Sequence, residues 1–180
     1  MDTPIDTPAP DDADGDHLPA PFIGLRTEIK PEWIDFNGHF NAGYYMVVFD
    51  DAVTDWMTFV GLDAEHRATH DVTTFSIEGH ITYERELPLG APIEIRTQLL
   101  GWDAKKIHCI HLMFHRDEGW LAATNELMSL HISNATRRSA PMAPQVQDRL
   151  ARIMTAHQTL PTPVQVGRVM GIGAGKAEPS

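Results

Sequence analysis

Asp35 is the side chain of this sequence best placed to do chemistry. It is an ionisable carboxylate at the mouth of a turn made flexible by Asn37 and Gly38, in the run Asp35-Phe36-Asn37-Gly38-His39-Phe40-Asn41. A helical signal starts six residues later. The first N–H groups of a helix lack intrahelical partners and carry the positive end of its dipole. Those groups, from Ala42 and Gly43 to Tyr45, could hold a developing oxyanion, and the small side chains of Ala42 and Gly43 let a ligand approach the backbone. The same residues have a plainer reading, because Asp and Asn are favoured in loops for the bonds they make to their own backbone.

Several elements must position this loop. Phe22 to Lys30 reads as a strand closed by Pro31. Tyr45, Phe49, Ala52, Trp56 and Phe59 recur at spacings of three and four, which predicts one long helix over 42–60 with Asp50, Asp51 and Asp55 off its apolar stripe. Asn41 stands where a helix N-cap belongs, and Gly61 where a left-handed C-terminal cap belongs. Four extended segments are expected at about 72–86, 92–102, 105–116 and 120–133, divided by turn material at Pro88-Leu89-Gly90, Asp103-Ala104 and Asp117-Glu118-Gly119. Alternation puts Phe75, Ile77, Ile81 and Tyr83 on one parity, with Ser76, Glu78, His80 and Thr82 on the other. A last amphipathic helix fits 143–158 through Val146, Leu150, Ile153 and Met154. The order predicts an α+β fold: an antiparallel sheet of about five strands wrapped around one long central helix, plus a C-terminal helix.

The Asp35 run, followed by Tyr45 and an apolar helix, resembles the Asp-x-x-Gly-His-x-Asn segment of 4-hydroxybenzoyl-CoA-thioesterase-like proteins of the hotdog fold. Ile81-Thr82-Tyr83-Glu84-Arg85-Glu86-Leu87 with Gly90, and Thr97-Gln98-Leu99-Leu100-Gly101 leading to Lys105-Lys106-Ile107-His108, are similar to meander strands of that family, so the likeness covers about 21–160. Pro31-Glu32-Trp33-Ile34-Asp35, Glu78-Gly79-His80 and the stretch from His157 to Pro163 look most like the betainyl-CoA thioesterases of carnitine breakdown. The resemblance implies hydrolysis of an acyl-CoA thioester, with Asp35 as nucleophile or general base, His39 and Asn41 beside it, and the carbonyl over the N–H groups of Ala42 and Gly43. It implies no cofactor beyond the substrate's own CoA, and a homodimer or homotetramer in which two sheets join and each active site lies between subunits. One departure stands out: family members often carry a second Asn where this chain has Ala42.

If the acyl group is betainyl, its trimethylammonium would favour a carboxylate or an aromatic face, which Glu78, Trp33 or Tyr45 could supply, with His80 on the same strand. Glu78 and His80 otherwise read as a solvent or dimer face. Lys105 and Lys106, at a turn, could contact CoA phosphates, or simply be solvated. His39 could touch substrate or brace its loop. Hotdog hydratases use an Asp-x-Asn-Pro-x-His run with His five residues after Asp; here His39 comes four after Asp35 and the Pro is absent, so a hydratase is a secondary alternative. A non-catalytic acyl-CoA binder is the other, and it has no need of a carboxylate facing an electrophile.

Composition narrows the rest. The chain has 180 residues, 42% hydrophobic, which suits one core. Its formal charge is −11, and Asp2, Asp6, Asp11, Asp12, Asp14 and Asp16 supply six of the negatives; with no cation among residues 1–17, the remainder carries −5 (−11 + 6). Such a surface repels phosphate backbones, so no nucleic acid is expected. The apolar runs fall short of the roughly 20 residues a membrane span needs. No secretory n-region precedes an apolar stretch, and Cys109 is the single cysteine, so a cytoplasmic location is expected. The acidic, proline-rich residues 1–20 read as a disordered tail, 21–160 as the domain, and 161–180 as weakly ordered. No metal is expected: His108 and His111 face opposite sides of a strand, and His111 and His115 would lie about 13 Å apart at roughly 3.3 Å per residue. His66 and His70 lack an evident third ligand.

Overall fold

The computed structural model describes residues 18–171. Strand β1 (Phe22–Glu28) leads through a 3-10 turn at Pro31–Trp33 to the long helix α1 (Ala42–Phe59) and a short helix α2 (Ala64–His70). Four long strands follow, β2 (Val72–Tyr83), β3 (Pro92–Trp102), β4 (Lys106–His115) and β5 (Leu121–Ser133). A two-residue β6 (Arg138–Ser139) and helix α3 (Pro144–His157) complete the order. All strand pairs are antiparallel, in the order β1-β3-β4-β5-β2, with β6 on β5.

Helix α1 begins and ends where its caps require. Asn41 has extended backbone and its Oδ1 accepts the Gly43 N–H at 2.8 Å. At the other end Gly61 takes φ +89°, and the Leu62 N–H returns to the Met57 carbonyl at 2.8 Å, closing a Schellman turn. The stripe read from the sequence, Tyr45, Phe49, Ala52, Trp56 and Phe59, is buried. One half of the core joins α1 through Val48, Phe49 and Ala52 to Ile93, Ile95, Met113 and Ala123. The other joins Trp56, Met57 and Phe59 to Leu99, Cys109, Leu127 and the α3 residues Val146, Leu150 and Ile153.

Three features differ from the sequence reading. Helix α2 is polar on every side, so no apolar stripe announces it; Asp63 starts it by accepting the His66 N–H at 2.7 Å. Strand β2 carries a bulge between Ser76 and Glu78, which breaks the single parity assigned to it. Ile81 and Tyr83 consequently share the face of Asn125 and Ala123, whereas Phe75 pairs with Leu130 on the other face and is 63% exposed. The chain beyond α3 is more tied down than expected as far as Gly167. Its N–H donates to Glu126 Oε2 at 2.8 Å, and Gln165 Nε2 donates to Glu84 Oε1 at 3.1 Å. At the N-terminal side, Leu18 is buried, and the Pro19 carbonyl lies 2.9 Å from His157 Nε2. The remainder of both expected tails, 1–17 and 172–180, lies outside the described residues.

Candidate active site at the start of the long helix

The segment from Trp33 to Asn41 folds back on itself as a small hairpin. Ile34 and Phe40 form an isolated antiparallel bridge, the Asp35 N–H donates to the His39 carbonyl at 2.9 Å, and the Asn41 N–H donates to the Trp33 carbonyl at 2.9 Å. Gly38 supplies the left-handed residue, φ +80°, that the reversal needs. Asp35 sits at the first corner, half-buried, and its Oδ1 accepts the Asn37 N–H at 2.8 Å. That contact is the plain loop-bonding role an Asp at this position would play; it occupies Oδ1. His39 is exposed at the loop tip, with Nε2 3.4 Å from Glu86 Oε2.

Aromatic rings hold the hairpin against α1. The Trp33 ring lies 5.8 Å from Phe40 and 6.2 Å from Tyr44, and Lys30 Nζ stands 4.9 Å above it. Tyr45 packs 4.1 Å from Phe40 and edge-on to Tyr83 at 5.1 Å. Burial, then the Tyr83 and Glu86 charges, pushes the Tyr45 hydroxyl up to about 12, so it stays protonated at neutral pH. Trp33 and Tyr45 are core residues under the site, 8% and 4% exposed.

The helix start is open. Ala42 and Gly43 are exposed, but their N–H groups are not equivalent: that of Gly43 is taken by the Asn41 cap. This corrects the expectation of two free oxyanion donors; the uncapped one is Ala42's. Asn41, expected beside Asp35 as a catalytic group, spends its Oδ1 on that cap. Tyr83 Oη reaches the Ala42 carbonyl at 3.5 Å, which fixes the end of β2 beside the start of α1.

Further along the α1–β2 groove lies a cavity of about 300 Å³, lined among others by Met46, Asp50, Ser76, Glu78, Gly79 and Asn125. Glu78 contributes to the rim of this cavity from the β2 bulge, but its pairing with Met128 turns its side chain to the sheet face away from α1. His80 does not line it: it pairs with Glu126, whose carboxylate binds His108 Nε2 at 2.8 Å, on the opposite face of the sheet from α1. Lys105 and Lys106 are also not brought to Asp35. Their backbone N–H groups bind Asp103 Oδ1 in the β3–β4 turn. That turn is level with Phe75 through Leu130, roughly 23 Å along the sheet from Tyr83 at the usual rise, counted on β5 from Leu130 to Ala123. The lysine pair is therefore remote from the Asp35 carboxylate itself.

Two further ionisable groups lie buried in the core. Burial pushes the Cys109 thiol up to about 12 and the His111 imidazole down to about 4. His111 faces Thr97 on the α1 side, while His108 faces away. The His66 and His70 rings stack at 4.2 Å. No three ligand side chains among the described residues are grouped to hold a metal. No helix of the described residues is long and apolar enough to cross a membrane.

A meander wrapped around one long helix, with a carboxylate in the hairpin that leads into that helix, is the setting in which the chain matches known proteins. Residues 29–150 match the model of the thioesterase-like superfamily. The chain belongs to that superfamily. It is a thioester hydrolase by that membership, and its architecture is the hotdog fold. It is 39% identical over 147 residues to a betainyl-CoA thioesterase of Pseudomonas aeruginosa, covering 82% of this chain and 92% of that one. It is 33% identical to the L-carnitine dehydrogenase/betainyl-CoA thioesterase of Ruegeria pomeroyi, over 87% of this chain but only 31% of that longer protein. Among solved structures, a Staphylococcus aureus protein in complex with CoA superposes with a TM-score of 0.80 at 27% identity, over 87% of this chain and 99% of its own.

Proposed function

We propose that this protein hydrolyses a small acyl-CoA thioester, betainyl-CoA first among candidates, to the free acid and CoA. The observation that carries the reading is the half-buried Asp35 carboxylate in a hairpin that runs directly into the exposed start of α1: the carboxylate is an attacking group or base, and the helix start offers the Ala42 N–H to the carbonyl oxygen. Either Asp35 attacks the carbonyl carbon and an anhydride is then hydrolysed, or it takes a proton from the attacking water; in both, CoA leaves as thiolate and water supplies the new oxygen and the proton balance. No cofactor beyond the substrate's CoA enters this scheme.

The active unit in this reading is a homodimer or a larger assembly of dimers. Among the described residues strand β2 has a neighbour on one side only, and Ile77 and Tyr83 on it, with Met46 and Val47 on the adjacent helix, are large apolar residues left exposed. A second copy pairing along that edge would cover them and protect an otherwise sticky strand. A cytoplasmic location belongs to the same proposal and is supported by the single buried thiol of Cys109.

The test is thiol release from a panel of acyl-CoAs by wild type and Asp35→Asn. Asn keeps an oxygen for the Asn37 N–H, so the loop survives while the base is lost. Turnover of betainyl-CoA should fall by about 10²- to 10⁴-fold. Full activity in the variant would remove Asp35 from the chemistry, and tight binding without turnover by wild type would make the protein a binder.

A further inference from the structure

A CoA thioester carries phosphates beyond its pantetheine arm, and a chain of net charge −11 must meet them with particular cations. Lys105 and Lys106 stand at the other end of the sheet from the Asp35 hairpin. At the hairpin end most cations are already matched. Arg26 and Arg96 share the Glu94 carboxylate, Arg116 pairs with Asp117, and the charge of the half-buried Lys30 acts on Asp51. Arg85 is the exception. It is exposed, and it belongs to no ion pair among the described residues. Its guanidinium carbon instead stands 4.2 Å over the Trp120 ring. Contact through a ring face holds the side chain without spending it on a carboxylate, so its N–H donors remain available to an anion. The ring is fixed in turn, because Trp120 Nε1 donates to Glu118 Oε2 at 2.8 Å and His115 lies 5.0 Å away.

Arg85 also lies on the segment that borders the site. Two residues before it, Tyr83 Oη reaches the Ala42 carbonyl at 3.5 Å, and two residues after it the Leu87 carbonyl accepts the Phe40 N–H at 3.1 Å. Each step of two residues spans at most about 7 Å of chain. The Arg85 backbone is therefore anchored between the helix start and the hairpin, and its own N–H donates to the Ala122 carbonyl at 3.1 Å. Carboxylates stand nearby in sequence, but each has other partners. Glu84 accepts from Thr82 and Gln165, Glu86 faces His39, and Glu118 holds the Trp120 indole. The pantetheine arm separates the sulfur of CoA from its first phosphorus, so a phosphate site must stand off from the thioester carbonyl yet share its rim. We propose that Arg85, held in place by the Trp120 ring, binds a phosphate of the CoA part of the substrate. The proposal rests on the thioesterase reading, and it puts the anchoring of CoA on the loop after β2 instead of on Lys105 and Lys106. A bidentate guanidinium suits a phosphate better than a point charge does.

The experiment measures kcat/KM of wild type and Arg85→Gln on the acyl-CoA that wild type cleaves fastest, and on the same acyl group carried by pantetheine, which has no phosphate. The ratio of the CoA value to the pantetheine value cancels losses of folded or active protein. It should fall about tenfold in Arg85→Gln, with the pantetheine thioester cleaved as by wild type. An unchanged ratio overturns the proposal, whether both values hold or both fall together. The dephospho-CoA thioester tells the phosphates apart: an Arg85 effect that disappears with it assigns the 3′-phosphate, and one that persists assigns the diphosphate. Should wild type cleave no thioester, the hydrolase reading fails by itself, and calorimetry with CoA and with pantetheine decides the site. Tighter binding of CoA than of pantetheine, weakened about tenfold by Arg85→Gln, upholds it, and a CoA affinity untouched by the substitution removes it.

Discussion

His111 makes the acid stability of this fold predictable. It is fully buried on the α1 side of β4, with Nδ1 2.8 Å from Thr97 Oγ1 and Nε2 3.5 Å from Cys109 Sγ, and the Phe49 ring 6.5 Å away. A neutral imidazole is satisfied there by one acceptor and one donor, whereas an imidazolium would find a hydroxyl and a sulfur and no carboxylate. Burial accordingly pushes its pKa down to about 4. Because the unfolded chain protonates this histidine near its ordinary value and the folded one does not, the unfolded state binds more protons between the two values. Stability is then complete above the unfolded pKa of about 6.5 and falls as pH drops toward the folded one. Going from about pH 7.5 to about pH 5, the loss through this one group is about 2 kcal/mol. Urea unfolding of wild type and His111→Leu at both pH values isolates it, since only the difference in pH dependence is read. The variant should lose about 2 kcal/mol less than wild type over that interval. Equal losses would show that His111 is not held neutral, and the argument from burial would fail.

Two carboxylates give further tests of opposite sign. Asp55 is raised by burial first and by the neighbouring Asp51 second, and its Oδ2 is buried without a partner against β1 near Gly24. A raised folded pKa means that the charged form is penalised above it, so Asp55→Asn should stabilise the protein by about 1 kcal/mol at neutral pH, a gain that vanishes in urea titrations run at acid pH. Burial alone would raise Glu94 as well, but hydrogen bonds and charges from Arg96 and Arg26, at 2.8 and 2.9 Å, outweigh it and hold the carboxyl below its ordinary value. Its stabilisation is present above the unfolded pKa and lost as pH falls through the folded one. Glu94→Gln should cost about 1 to 3 kcal/mol at neutral pH, reduced from a fully buried pair because both guanidinium groups are partly exposed. A thermal melt unchanged by this substitution would show the pairs to be idle.

The sequence revealed most where local rules act alone. Asn41 before an apolar stripe and Gly61 after it bracketed α1 to within a residue, because caps and periodicity are both local. The Asp35 hairpin was legible for the same reason: Asn37 and Gly38 are turn residues whatever surrounds them. What was hidden depends on pairing between distant segments. The bulge at Ile77 has no glycine or proline to mark it, and it places Ser76 on the α1 side while His80 and Thr82 keep the other face. Asp50 lies off the apolar stripe of α1 and so reads as solvated until β2 is set beside it. Asn125 offered the one available signal, a lone amide on the same inward parity as Ala123 and Leu127. His157 gave none: its burial follows from Nδ1 accepting the Leu99 N–H at 2.8 Å, a contact across 58 residues.

The start of α1 shows how one short segment serves folding and chemistry together. Asp35 and Asn41 each commit a side-chain oxygen to a backbone N–H, at Asn37 and Gly43, and those bonds hold the hairpin and begin the helix. Ala42 is left with an uncapped donor. An acidic residue in a helix's first turn would ordinarily satisfy such donors and the dipole behind them, but α1 has no acid there. Its acids are Asp50, Asp51 and Asp55, two turns or more along, where they cannot compete for that donor and where Asp50 reaches the cavity instead. Adding a second amide by Ala42→Asn would place another capping side chain over the same N–H groups. The Ala42 side chain therefore favours an open positive helix end for an incoming carbonyl oxygen.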